Sequence, residues 1–212
     1  GILSGSGYSP AQPFNLNVFG ISRETANNAG EVDILVHHGS TDAPTVDVRG
    51  QNPAALLVDD APYGGSVGYL SLLEDDYIIR ITDATGSTIV QSYEAPLAAL
   101  NLAGQSIVVV ASGFLNPANN SNGPAFGLYV ALATGGPLVA LPVAANPRVQ
   151  VIHNSPDAGA STVDLWVNGT TLVDDVAFRT ATGFISLNTG MNTVGVAGGT
   201  STSANDTIAN FD

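Results

Sequence analysis

Residues 36–43 and 151–158 of this chain are one phrase written twice. Val36-His37-His38-Gly39-Ser40-Thr41-Asp42-Ala43 aligns with Val151-Ile152-His153-Asn154-Ser155-Pro156-Asp157-Ala158 at an offset of 115 residues. Thr45-Val46-Asp47 matches Thr162-Val163-Asp164 after a two-residue insertion. Leu57-Val58-Asp59-Asp60 matches Leu172-Val173-Asp174-Asp175, and Gly68-Tyr69-Leu70-Ser71-Leu72 matches Gly183-Phe184-Ile185-Ser186-Leu187. Four blocks in the same order mean two copies of one structural unit. Such a repeat constrains the architecture before any single element is read.

The copies are unequal. The first runs over 31–146. The second, 147–212, reaches only the position of Tyr93 or Glu94, so its last three strands are expected to come from elsewhere. Ile2-Leu3-Ser4-Gly5-Ser6-Gly7-Tyr8 resembles Val108-Val109-Val110-Ala111-Ser112-Gly113-Phe114. Pro13-Phe14-Asn15-Leu16-Asn17-Val18 resembles Pro124-Ala125-Phe126-Gly127-Leu128-Tyr129-Val130 with one deletion. Residues 1–30 therefore read as the C-terminal strands of a repeat, a candidate donor segment. Residues 31–146 read as a complete domain, and 147–212 as the N-terminal part of a second, a candidate acceptor.

No long segment sustains a 3.6-residue apolar period. Short β-branched or alternating runs predict strands at 32–38, 45–49, 55–58, 67–73, 76–82, 88–93, 106–112, 126–132 and 138–143. A second series falls at 148–153, 162–167, 170–174, 182–187, 192–196 and 206–211. Asn168-Gly169 is a two-residue hairpin signal, because both residues tolerate positive φ. Asp83-Ala84-Thr85-Gly86 fits a longer hairpin loop. The uncharged stretch 128–145 is broken by Gly135, Gly136, Pro137 and Pro142, which makes two short strands of it rather than a membrane helix. The expected class is all-β, with antiparallel β-sandwiches.

Charge narrows the function classes. Only 11% of residues are charged, against roughly 25% in an average soluble protein. There are 18 acidic side chains and five basic ones, all arginine, for a net charge of −13. Nucleic acid and anionic membranes are poor partners for such a chain, since both require clustered Lys and Arg. With no cysteine, disulfides, thiolate metal sites and cysteine nucleophiles are excluded. With no lysine, Schiff bases and lysine isopeptide cross-links go too. The Gly-, Ala-, Thr-, Ser- and Asn-rich remainder suits an extracellular or cell-surface protein.

The phrase Val151-Ile152-His153-Asn154-Ser155-Pro156-Asp157-Ala158, followed by Val163-Asp164-Leu165, resembles the "domain of unknown function 4397" family. So does Ala61-Pro62-Tyr63-Gly64 leading into Gly68-Tyr69-Leu70-Ser71-Leu72 and Asp76-Tyr77-Ile78-Ile79-Arg80-Ile81. The pattern covers 31–146, and its first half recurs in 147–212. Thr41 and Gly159 depart from the family phrase at loop positions. The resemblance implies tandem immunoglobulin-like sandwiches in secreted or surface-anchored microbial proteins, here one complete and one split between the two ends of the chain. It implies no reaction.

Candidate sites are few. His38 and His153 are each followed four residues later by Asp42 and Asp157. That spacing reads as a strand-end histidine leading into an Asx-type turn, with no third group to complete a metal or acid–base site. Asp59, Asp60, Asp174 and Asp175 are the candidates for Ca²⁺, which takes six to eight oxygen ligands; the competing reading is a solvated loop or edge-strand charge. No other cofactor is expected. Asn119, Asn168 and Asn205 head N-glycosylation triplets. No constellation of nucleophile, base and orienting group is present, so the expectation is a non-enzyme.

The expected role is structural: an extracellular filament or surface array assembled from copies of this chain, head to tail. Residues 1–30 of one copy complete 147–212 of the next by strand addition, or the same strands follow in a longer tandem chain. The residues assigned to the polymerisation interface are Ile2, Leu3, Phe14, Leu16, Val18, Trp166, Phe184, Ile208 and Phe211. The alternative is an adhesion module that binds surface glycans or other cells through loops at the sandwich ends.

Overall fold

The computed structural model describes residues 7–20, 22–51, 54–189 and 192–211. Among these the chain is all-β, with seventeen strands and three single 3-10 turns. Among the described residues no helix is long and apolar enough to cross a membrane. The chain divides into two compact units, Gly1–Ala144 and Ala145–Asp212.

The first unit holds nine strands. They are β1 (Glu31–His38), β2 (Val46–Gln51), β3 (Ala54–Ala61), β4 (Ser66–Leu73), β5 (Asp76–Asp83), β6 (Ile89–Pro96), β7 (Ser106–Ser112), β8 (Gly127–Leu132) and β9 (Val139–Ala140). One sheet runs β4-β1-β7-β8-β9, the other β3-β2-β5-β6. Alternation decides which side chains go inside. Val32 and Ile34 of β1, Val46 and Val48 of β2, Ile79 and Ile81 of β5, Ile107 and Val109 of β7, and Leu128 and Val130 of β8 join one buried cluster with Tyr93. Both sheets thus close on a single apolar core, which encloses a cavity of about 60 Å³.

Among the described residues the strand pairs are antiparallel with one exception, which corrects the expectation of a purely antiparallel fold; an isolated Phe114–Ala125 bridge is parallel as well. β1 and β7 run parallel, from Asp33 opposite Ser106 to His38 opposite Ala111. A long crossover is what a parallel pair needs. Here β2 to β6 lie between the two strands in sequence, and four of those five belong to the other sheet.

The second unit has eight strands: β10 (Arg148–Val149), β11 (Ile152–His153), β12 (Thr162–Val167), β13 (Thr170–Ala177), β14 (Thr180–Ala181), β15 (Ile185–Ser186), β16 (Val194–Gly198) and β17 (Thr207–Phe211). Its four-stranded sheet, β13-β12-β16-β17, repeats β3-β2-β5-β6 in order. The register repeats as well. Val46 opposite Ala61 becomes Val163 opposite Val176. His37 opposite Ser66 becomes Ile152 opposite Ala181, and Asp33 opposite Ser71 becomes Arg148 opposite Ser186. Ile79 opposite Tyr93 becomes Val194 opposite Phe211, which makes the last hairpin of the second copy three residues longer.

Some strands depart from their expected bounds. The run 138–143 pairs with β8 as a strand only at Val139–Ala140, and around Pro142, which offers no N–H to a ladder, it crosses to β6, where Val143 bridges Tyr93. The run 148–153 is split into β10 and β11: the Val151 N–H goes to the Thr182 hydroxyl at 3.1 Å rather than to a carbonyl. Asn168 and Gly169 take φ of 49° and 82°, the left-handed pair that a tight hairpin requires.

Candidate functional site

Both copies bury an aspartate in the middle of a strand. Asp47 and Asp164 are fully enclosed. The cause is a β-bulge. Between the pairs Val46–Ala61 and Val48–Val58, Asp47 faces two residues, Asp59 and Asp60. Asp164 faces Asp174 and Asp175 in the same way. The second bulge residue turns left-handed, φ 49° at Asp60 and 56° at Asp175, and its N–H leaves the ladder. The buried carboxylate takes up that N–H, at 3.0 Å in the first copy and 2.9 Å in the second. The four Ca²⁺ candidates thus join Asp47 and Asp164 in two triads whose oxygens lie within 4.8 Å of one another. In each triad the buried carboxylate is already committed to the bulge.

The copies neutralise that carboxylate differently. In the first, Arg49 pairs with Asp47 at 2.7 Å. The Asp60 N–H, against the opposing pull of burial and with help from Arg49, holds Asp47 below the usual carboxylate value. In the second, Trp166 stands at the position of Arg49, and Ser201 at that of Gly86. The Ser201 hydroxyl donates to Asp164 at 2.6 Å and accepts from the Trp166 indole N–H at 3.0 Å. Asp174 hydrogen-bonds to Asp164, and its own pKa is raised, first by that bond and then by the neighbouring charge. Burial works to raise the Asp164 pKa as well, but the bonds from Ser201, Asp175 and Asp174 hold it down.

The two swaps are coupled by space. A Cβ on Gly86 would lie 2.6 Å from the Arg49 Nη2, at a φ of +71°. Gly86→Ser alone is expected to destabilise the first unit by about 1–2 kcal/mol, through left-handed strain and a displaced Arg49. Adding Arg49→Trp, which transplants the second copy's pair, is expected to recover part of the loss. Urea melts of the two variants against the parent check this.

The histidines serve the backbone. His38 Nε2 lies 3.0 Å from the Pro44 carbonyl, and its Nδ1 receives the Ser40 N–H at 3.4 Å. His153 repeats both contacts, with Ala160 at 2.6 Å and Ser155 at 3.4 Å. Each ring also meets an aromatic edge-on, Tyr63 in one copy and Phe178 in the other. The loop after His38 then holds the end of β7. The Ser40 hydroxyl donates to the Gly113 carbonyl at 2.7 Å. The Asp42 carboxylate accepts from Leu115 N, Asn116 N and Asn120 Nδ2 at 2.9–3.0 Å. In the second unit Asp157 accepts the Gly159 N–H at 2.8 Å. Residues 145–211 contain no counterpart of Gly113, Leu115 or Asn116.

The apolar surfaces of the two units differ as well. The buried cluster of the second unit is small, formed by Val163, Leu165 and Val176. Tyr93 is 1% exposed, whereas Phe211 in its place is 59% exposed. Phe184 and Ile208 are exposed too, the counterparts of Tyr69 and Val90. Arg148 lies over the Phe184 ring at 5.5 Å, as Arg23 lies over Tyr69 at 4.5 Å. Trp166 is half-buried. In the first unit Phe14, Leu16 and Val18 are 66%, 78% and 82% exposed in a segment that forms no strand among the described residues. Phe14 borders an open cleft of about 710 Å³ over His37, Tyr63 and Val110. Ile2 and Leu3 lie outside the described residues. Asn119 and Asn205 are exposed in single 3-10 turns. The Asn168 amide holds its hairpin, donating to Asn192 and accepting from Thr193 N.

Sequence reasoning missed Asp47 and Asp164 as structural centres. The signal was present: a charged residue between valines in Val46-Asp47-Val48, repeated as Val163-Asp164-Leu165. It also missed Arg23 and Asp33, which pair at 2.7 Å across a loop.

Residues 147–212 match the family model described as Domain of unknown function (DUF4397). No curated protein matches the sequence.

Proposed function

We propose that this chain is a non-catalytic structural subunit of an extracellular filament or surface array, built from immunoglobulin-like sandwiches. Its second unit takes strands from residues 1–30 of a neighbouring copy. One observation carries the reading: the second unit repeats β1 to β6 register for register, while counterparts of β7 and β8 are not among residues 145–211. The apolar surface those strands cover in the first unit is left exposed at Phe211. An uncovered strand edge beside exposed apolar side chains is a template for strand addition.

The donor chemistry lies at the other end. Gly7 has φ +103° and Gly113 has φ +86°, each followed by an aromatic residue. In the first unit a Cβ at Gly113 would collide with the Ala125 carbonyl, so glycine is required where β7 ends. One donor and one acceptor on each chain make a heterologous interface, which propagates if the rotation does not close.

Light scattering and electron microscopy of the purified chain test the proposal. Concentration-dependent oligomers or regular fibres are expected, and deletion of residues 1–20 is expected to abolish them. Monomers of 21.5 kDa at every concentration would sink it. Fibres that persist after the deletion would point to another contact.

A further inference from the structure

The assembly reading leaves open how the donor is aligned, and the two units together answer this. We infer that a second copy enters the acceptor unit in one register, in which its Phe14 stacks on Phe211. The inference rests on the assembly reading and adds to it the identity of the touching residues.

Within the first unit, β8 shows what the acceptor would receive. Leu128 and Val130 are buried in the core, and Phe126 packs against it from the end of the strand. The Phe126 ring stands 6.4 Å from the Tyr93 ring. Phe14, Leu16 and Val18 have the same spacing and the same apolar character as 126, 128 and 130. The residues between them, Asn15 and Asn17, are polar and suit the solvent side of a strand. A slip of one residue would turn both amides into the apolar interior and leave three apolar side chains in water, so odd registers are excluded.

A slip of two residues keeps the alternation and must be excluded otherwise. Of the acceptor's two exposed phenylalanines, Phe184 takes the position of Tyr69, which is not part of the first unit's core cluster, and Phe211 that of the buried Tyr93. Val194 opposite Phe211 repeats Ile79 opposite Tyr93, so Phe211 occupies the Tyr93 position. Phe14 is the one aromatic among the three donor side chains, as Phe126 is among theirs. Stacking it on Phe211 reproduces the aromatic pair of the first unit. The other anchor is the loop clasp. Ser40 binds the carbonyl of Gly113, and in the acceptor Ser155 would take over that of Gly7, which within its own chain accepts from the Ser121 hydroxyl at 3.0 Å.

Photo-cross-linking tests the register. The probe is p-benzoylphenylalanine at position 211, which keeps an aromatic ring there, in assembled mixtures of isotopically light and heavy chains. Mass spectrometry then locates the attachment. Most of the intermolecular product is expected at residues 13–15. Attachment mainly at 11–12 or at 16–18, or none in a protein that still assembles, would overturn the register and spare the assembly reading. If the parent chain, tested alongside, stays monomeric, the assembly reading falls and the register with it.

Discussion

Replacing Phe14, Leu16 and Val18 together by Asp is expected to convert oligomers of this chain to monomers and to leave each folded unit unchanged. The two halves of that expectation have separate causes. All three side chains are mostly exposed within their own chain, so their loss removes little native packing. In a neighbour's core each would bury apolar surface worth about 1.5 kcal/mol or more, and three charges there would add desolvation cost. The combined loss corresponds to association at least ~1,000-fold weaker. Light scattering over a concentration series measures it. The optical probes separate the units: all six tyrosines lie in the first and the single tryptophan in the second. An unchanged tyrosine melt alongside full oligomerisation of the triple variant would remove residues 14–18 from the interface.

Asp33→Ala is expected to destabilise the first unit by about 3 kcal/mol, while the tryptophan-monitored melt of the second stays in place. Asp33 is fully enclosed on the outer side of β1. Its carboxylate accepts from Arg23 Nη1 at 2.7 Å, Ser71 Oγ at 2.6 Å and Asn27 N at 3.2 Å. Removing it leaves those donors without an acceptor. Burial alone would raise the Asp33 pKa. The Ser71, Arg23 and Asn27 bonds and the Arg23 charge outweigh it, and the net shift is downward from 3.8. A pKa lower in the folded state contributes stability above the unfolded value and loses it as pH falls through the folded value. Urea midpoints followed by tyrosine should therefore drop below about pH 4 in the parent. The drop should be shallower in Asp33→Ala and still shallower if Asp47 is also replaced. Asp83, held down to about 2 by the Thr85 hydroxyl and the Thr88 N–H, extends the acid limb in both proteins.

Where the repeat aligned the two copies, the paired strands are structurally equivalent: Leu165 pairs with Val173 as Val48 pairs with Val58, whereas residues 13–18, aligned with 124–130, form no strand. Strand positions were legible because alternation and turn residues are local. The acidic doublets were legible as residues but not as a device. Asp59-Asp60 reads as surface charge until Asp47, thirteen positions away from Asp60, is seen to cap the bulge. The interface residues divide on the same ground. Phe211 was identifiable as an apolar residue in a strand. That it takes the Tyr93 position required the register of β16 and β17, because a three-residue insertion hides the equivalence.

What the sequence by itself determined is the all-β plan and its duplication. Each follows from short-range periodicity and self-similarity, which no partner strand is needed to express. Only the tertiary structure decided that β1 and β7 run parallel, and that Asp47 and Asp164 are buried beneath bulges. It alone showed Arg49 with Gly86 doing in one copy what Trp166 and Ser201 do in the other. These depend on which strands meet across tens of residues of chain, and a burial or a hydrogen bond exists only once both partners are in place.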